Sequence, residues 1–139
     1  MLEGIHPLLT GELLWHLDAM GHSDAVVIAD AHFPAAAIAD RLIVLRGTTT
    51  PEVLAAIRTV VPIDDTPGLD LMTSADGEIL EVQTELMRAA GVDAAGTRFI
   101  DRFDYYDLAR SAYVVVSTGE TRSYGNALLR KGVVGRPSA

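Results

Sequence analysis

Five apolar residues in a row, Ala25–Ala29, carry no charge and lie between two polar clusters, His22 with Asp24 before them and Asp30 with His32 after. An uncharged run of that length reads as a β-strand covered on both faces. Ahead of it, Thr10 is placed as an N-cap. Leu13, Leu14, Leu17 and Met20 follow at helical spacing, and Gly21 stands where a C′ glycine stops a helix. His22 thus falls in a helix-to-strand loop, and Asp30 at the strand's carboxyl end.

The same alternation continues along the chain. Residues 35–39 are a short stretch of high helix propensity, and Leu42–Leu45 is a second buried strand. Thr49 or Thr50 caps a helix with Pro51 in its first turn and Val53, Leu54 and Ile57 on its inner face. Residues 60–63 can form a short strand limited by Pro62, and residues 64–68 are a turn. A strand over 69–73 precedes a helix suggested by Ile79, Leu80, Leu86 and Met87, with Gly91 as its stop. Thr97–Ile100 is a strand, Asp104 can cap a helix through Ala112, and residues 113–117 are the most β-prone run. A polar loop over 119–125 leads to Leu128 and Leu129 in a final segment. Alternation of strands and helices predicts an α/β fold: a single compact three-layer domain over residues 1–139 with a mostly parallel sheet, and 135–139 as a frayed tail.

Composition narrows the partners. The 139 residues are 49% hydrophobic, which calls for a well-filled core and hints at apolar surface buried between subunits. A formal charge of −8 disfavours nucleic acid. The absence of cysteine removes disulfides and thiolate catalysis. No apolar run approaches the ~20 residues of a membrane helix, and residues 1–6 lack the basic and apolar blocks of a signal peptide. A cytoplasmic protein without membrane partners is the expectation.

Candidate chemistry gathers at a few positions. His22 is suited to proton exchange near neutral pH, and its alternative is an ordinary loop histidine. Asp30 lies where ligands bind in open α/β sheets and can accept from two vicinal hydroxyls; its alternative is a turn or cap residue. His32 can orient the Asp30 loop. A metal held by His22, Asp30 and His32 is not expected, because the usual helical ligand spacings are missing. The 119–125 loop lacks the lysine of a phosphate loop. Tyr124 and Asn126 offer a phenol and an amide suited to sugar hydroxyls. Arg102 offers a fixed fork of donors, or else a surface ion pair with Asp101 or Asp104. Tyr105 and Tyr106 read first as packing residues.

Taken together, Met20 to Asp24, Asp30 to Pro34, Arg102 with Phe103, Thr118 to Glu120 and Tyr124 to Asn126 resemble the signature of the RbsD/FucU family, the ribose pyranases and fucose mutarotases. The resemblance runs from Ile5 to about Val133. It implies an enzyme free of cofactor and metal that interconverts forms of a free monosaccharide, in a ring-shaped homo-oligomer, typically a decamer, with sites near subunit boundaries. Carried over by position, His22 matches the proton donor, and Asp30, Arg102, Tyr124, Gly125 and Asn126 match the sugar-binding positions. Tyr124 is also a candidate base, beside water or the same histidine, and His32 and Tyr106 are supporting residues. Arg102 followed by Phe103, with Tyr106 nearby, resembles the branch acting on L-fucose. A D-ribose pyranase and a non-catalytic monosaccharide-binding module remain the alternatives. Ser23 departs from the glycine often found after the histidine. One difficulty stands out: a five-residue strand spans roughly 17 Å, so its two ends cannot serve one sugar within a single straight strand; either His22 folds back from its loop, or the His22 and Asp30 of one site come from neighbouring subunits.

Overall fold

The Ala25–Ala29 run is β1, and its alternating side chains enter two different cores. Val26 and Ile28 pack on one face of the sheet, Val27 and Ala29 on the other, and all four are fully buried. A strand needs no polar face when both faces are covered. The computed structural model describes residues 1–65 and 67–135. Thr66 of the expected turn and residues 136–139 of the expected frayed tail lie outside the described residues.

In chain order the elements are α1 (Gly11–Ala19), β1, α2 (Ala35–Ile38), β2 (Leu42–Leu45), α3 (Thr50–Arg58), β3 (Leu69–Met72), α4 (Glu81–Ala90), β4 (Thr97–Ile100), α5 (Arg102–Arg110), β5 (Val114–Thr118) and β6 (Ala127–Arg130). The strands form a six-stranded sheet in the order β2-β5-β1-β6-β3-β4. Helices α1, α3 and α4 contribute to the core on one face, and α2 and α5 to the core on the other. This is the expected three-layer α/β architecture. Among the described residues, no helix is long and apolar enough to cross a membrane.

The sheet is mostly parallel, with one exception that organises the molecule. β1 pairs parallel with β5, β5 with β2, and β3 with β4, whereas β6 runs antiparallel to both β1 and β3. Wedged between them, β6 carries Asn126 to the carboxyl end of β1 and Arg130 to its amino end, since Ala127 pairs with Ile28 and Arg130 with Ala25. In sequence, Ala127 to Arg130 belong only to an unassigned final segment, and pairing with β1 and β3 defines them as a strand.

Several local expectations are corrected. Gly21 does not close α1 through a left-handed backbone. The helix ends at Ala19 with Met20 as its C-cap, whose N–H donates to the His16 carbonyl; Gly21 takes the expected C′ place, but the positive φ of that loop falls on Ser23 at 69°. β2 is an edge strand with only Ile43 buried; Val44 is 49% exposed. Residues 60–63 reduce to a single bridge between Ile63 and Lys131. Ile79 lies outside α4 and is exposed. Asp101, not Asp104, occupies the N-cap of α5, which places Arg102 in the first turn of that helix. The Thr49 cap, completed by Glu52 as a capping box, and the Gly91 stop are as expected.

Candidate functional site

Asp30 leaves the carboxyl end of β1 and turns at once. Its Oδ1 accepts from the backbone N–H groups of His32 at 3.0 Å and Phe33 at 2.9 Å, an Asx turn that fixes the carboxylate relative to the strand. The turn-residue reading of Asp30 is therefore correct, and Oδ2 takes no part in these two bonds. The side chain is buried, and that burial pushes its pKa up. The N–H groups of His32, Phe33 and Gly125, and the nearby His32 ring, pull the other way without cancelling it.

The opposite wall comes from the loop entering β6. Asn126 Oδ1 accepts the Asp30 N–H at 2.7 Å, so the amide is oriented, and among the described residues its Nδ2 has no acceptor. Tyr124 holds a left-handed backbone at φ 59°, unusual for a residue with a side chain. Gly125 follows in a space where a Cβ would lie 3.0 Å from the Arg122 carbonyl oxygen, 3.1 Å from Glu120 Cγ and 3.2 Å from Val82 Cγ2. The missing Cβ lets the loop close, the Gly125 N–H reaches the Asp30 carboxylate, and the residue is not among those lining the cavity.

Behind that loop stands a polar brace. Arg122 grips the buried Glu120 through Nε at 3.0 Å and Nη2 at 2.9 Å, and pairs with Glu85 of α4 through Nη1. Burial pushes the Glu120 carboxyl up, but the Arg122 bonds outweigh it and hold it below its ordinary value. The Glu120 carbonyl also accepts the Ala31 N–H at 2.7 Å, tying the brace to the Asp30 turn. In sequence this motif showed only as a polar loop; its partner Glu85 lies 37 positions away.

From α5, Arg102 donates its Nε to the Tyr106 hydroxyl at 3.0 Å, a bond that raises its pKa further, and its guanidinium lies over the Phe103 ring. The anticipated ion pair with Asp101 or Asp104 does not form among the described residues, and both Nη groups lack hydrogen-bond partners there. Asp30, His32, Arg102, Tyr106, Ser123, Tyr124 and Asn126 enclose a cavity of about 210 Å³ with Phe33 and Met72 as its apolar wall. Phe33 packs edge-on to Tyr106 at 5.4 Å, which makes that wall rigid. The volume falls below the ~300–1,000 Å³ of drug-sized pockets. One buried carboxylate, one guanidinium, one amide and two phenols on a small apolar floor can hold a polyhydroxylated molecule.

A larger cavity of about 420 Å³ lies near the N-terminus, lined by Met1, Leu2, Ile5, His6 and Leu14 among others. Its polar groups are spent locally, because Thr10 Oγ1 accepts from Leu13 and His6 Nδ1 from Leu8. It offers no comparable set of hydroxyl binders.

His22 stands apart from the Asp30 cavity. It occupies the loop at the amino end of β1, half exposed, with Nε2 at 2.9 Å from Asp64 Oδ1. Within one chain, therefore, the structure assembles Asp30, Arg102, Tyr124, Asn126, His32 and Tyr106, with Gly125 in support, and does not bring His22 to them. A fold-back of the His22 loop, one of two ways to reconcile the strand's length with a shared site, is not what the chain adopts. Sequence reading also missed Asp64, which looked like one more turn residue, and Phe33, Met72 and Ser123.

The chain is similar to known proteins over nearly its whole length. Residues 3–134 match the model of the RbsD / FucU transport protein family. The L-fucose mutarotase of Haemophilus influenzae is 38% identical over 141 residues, covering 96% of this chain and 97% of that protein. The fucose mutarotase of Danio rerio is 37% identical over 146 residues, covering 96% and 95%. The fucose mutarotase of Streptococcus pneumoniae, solved in complex with L-fucose, superposes with a TM-score of 0.88 at 34% identity, covering 96% of this chain and 99% of that one. With the family model spanning nearly the whole chain and relatives of that identity matched end to end, this protein belongs to the RbsD/FucU family.

Proposed function

We propose that this protein is a sugar mutarotase that interconverts the α and β anomers of a free monosaccharide, with L-fucose as its substrate. The observation that carries the reading is the cavity at the end of β1, where Asp30, Arg102, Tyr124 and Asn126 converge on an apolar floor of Phe33 and Met72. A deoxy sugar with one methyl-bearing face suits such a lining. The near full-length similarity to proteins named L-fucose mutarotase supports that substrate over ribose.

Mutarotation requires a proton delivered to the ring oxygen while the anomeric hydroxyl loses one, followed by reclosure on either face. In this reading Asp30 and Asn126 hold hydroxyls and Arg102 fixes the sugar's orientation. Tyr124 or a water serves the anomeric hydroxyl, and His22 protonates the ring oxygen. Because His22 lies outside its own chain's cavity, the histidine comes from a neighbouring copy in a ring-shaped homo-oligomer, a decamer in this reading, working in the cytoplasm. Exposed apolar side chains support such assembly: Trp15 and Phe103 are each 71% exposed, and Val44 faces outward on the edge strand β2.

The separation of His22 from the cavity also favours a second reading, a binding module in which the sugar is held and not transformed. Saturation-transfer NMR on a panel of free sugars decides between them. The mutarotase reading expects accelerated anomeric exchange, strongest for L-fucose, that collapses in His22→Ala while sugar binding persists. Binding without acceleration for any sugar would leave the module standing. Faster pyranose–furanose exchange of ribose than anomeric exchange of fucose would move the assignment to a pyranase.

A further inference from the structure

We infer that Arg122 is a positioning residue for the sugar site: it clamps the loop before β6 between the buried Glu120 and Glu85 of α4, and so aims the Tyr124 phenol into the cavity. The inference rests on the mutarotase reading and adds to it a residue that does not itself line the cavity. Ser123 and Tyr124, which do line it, follow Arg122 directly in the chain. Tyr124 keeps a left-handed backbone at φ 59°, which a residue with a Cβ adopts only where its surroundings impose it. Among the described residues no hydrogen bond holds the Tyr124 hydroxyl. Its direction is therefore set by the backbone that carries it and by the core on which its ring packs. Whatever fixes that backbone fixes where the phenol meets the sugar.

The amino-terminal half of α4 meets this loop at three places, and Arg122 makes the charged contact. Besides its two side-chain bonds to Glu120, its backbone N–H donates to Glu120 Oε2 at 3.2 Å. Nη1 and Nη2 both reach the Glu85 carboxylate. One planar fork thus closes a ring over residues 120 to 122 and ties that ring to a helix 37 positions away in the chain. The second contact is Gln83, fully buried, whose amide donates to the Met72 carbonyl at 2.6 Å and to the Tyr124 carbonyl at 3.5 Å. The third is Val82, packed close to Gly125. Tyr124 is therefore held on both sides and at its own carbonyl. Bonds to Glu120, then to Glu85, raise the Arg122 pKa further, so the clamp stays charged. A lysine ammonium lacks the fork that meets two carboxylates at once. Stability alone is a poor reason for the pair, since apolar packing of similar volume often matches or betters a buried ion pair. What the clamp supplies is direction.

A double-mutant cycle on the full-length protein, read in anomeric exchange with L-fucose, tests this. Arg122→Met and Arg122→Lys should each lower turnover at saturating sugar by about 10–100-fold, and Tyr124→Phe by about 100-fold. Arg122→Lys keeps a charge beside the buried Glu120 and guards against a misfolded loop. Because Arg122 acts through Tyr124, adding Arg122→Lys to Tyr124→Phe should slow turnover by no more than about twofold further, whereas independent losses would multiply. In crystals of Arg122→Lys, the Tyr124 hydroxyl should be displaced by about 1 Å or more. Losses that multiply, Arg122→Lys or Tyr124→Phe as fast as wild type, or an unmoved Tyr124 hydroxyl would each overturn the assignment and leave the mutarotase reading intact. A wild type that accelerates no sugar would sink the mutarotase reading instead, and the crystal position of the Tyr124 hydroxyl would still decide whether Arg122 aims it.

Discussion

At the scale of single residues, the site places charge where burial resists it. Asp30 is buried, and its pKa is raised chiefly by desolvation. The sign of the consequence follows from linkage: a group whose folded pKa lies above its unfolded value favours folding at low pH, and that contribution is lost as pH rises through the folded pKa. Asp30→Asn keeps an oxygen for the His32 and Phe33 N–H groups and removes the charge. Its thermal stability relative to wild type should therefore improve between acid and neutral pH, while L-fucose binding falls. Melting curves from pH 4 to pH 7 check this; a wild type that gains on the variant over that window would show that ionised Asp30 supports the fold.

Ser23 gives a second test at this scale. Its φ of 69° is a backbone that glycine adopts without strain. Ser23→Gly trades relief of strain against loss of its hydroxyl's bond to Asp64 and should lie within about 1 kcal/mol of wild type, whereas Ser23→Ala keeps the strain, loses the bond and should be the less stable of the two by about 1 kcal/mol. Chemical denaturation ranks them. An order with alanine above glycine would mean that the loop is relaxed. His22→Ala should lower anomeric exchange by about 10²–10⁴-fold in the saturation-transfer measurement, without loss of sugar binding.

At the scale of elements, the short antiparallel strand β6 joins the two halves of the proposed chemistry. Its entry loop shapes the sugar cavity, and its exit holds the Asp64–His22 pair. Gly125→Ala should thus cost about 1–3 kcal/mol through overpacking against Arg122, Glu120 and Val82, with weakened sugar binding; calorimetry reads both. On α5, the fully buried Tyr105 hydroxyl has no hydrogen-bond partner among the described residues. Tyr105→Phe should be neutral or stabilising by up to about 1 kcal/mol. A large loss of stability would instead reveal a partner held by that hydroxyl.

These elements also show what could be read in advance. The Ala25–Ala29 run, the Thr49 capping box and the Gly91 stop are local signals and were legible. Asp30, Arg102, Tyr124 and Asn126 were legible through the resemblance and gather in one cavity. β6 was not, because its identity comes from strands about 100 and 60 positions earlier in the chain. Asp64 was hidden for the same reason, 42 positions from the histidine it meets. Nor did hydropathy reveal that β2 is an edge: Leu42 and Val44 are apolar yet exposed.

At the scale of the whole molecule, the proposed sharing of a site between His22 of one copy and the cavity of another requires a working unit larger than one chain. Light scattering should show a mass many times the 14.8 kDa of the chain; a clean monomer would count against shared sites. Complementation between inactive variants is more direct. His22→Ala and Asp30→Asn should each be inactive alone in anomeric exchange. Co-expressed in one ring, the His22→Ala subunit supplies an intact cavity and its Asp30→Asn neighbour an intact histidine, so random mixing should restore about a quarter of wild-type sites. Recovery near that level is the result expected of a site shared across subunits. Mixed rings as inactive as either parent would contradict it, and would require each chain to build its active site alone.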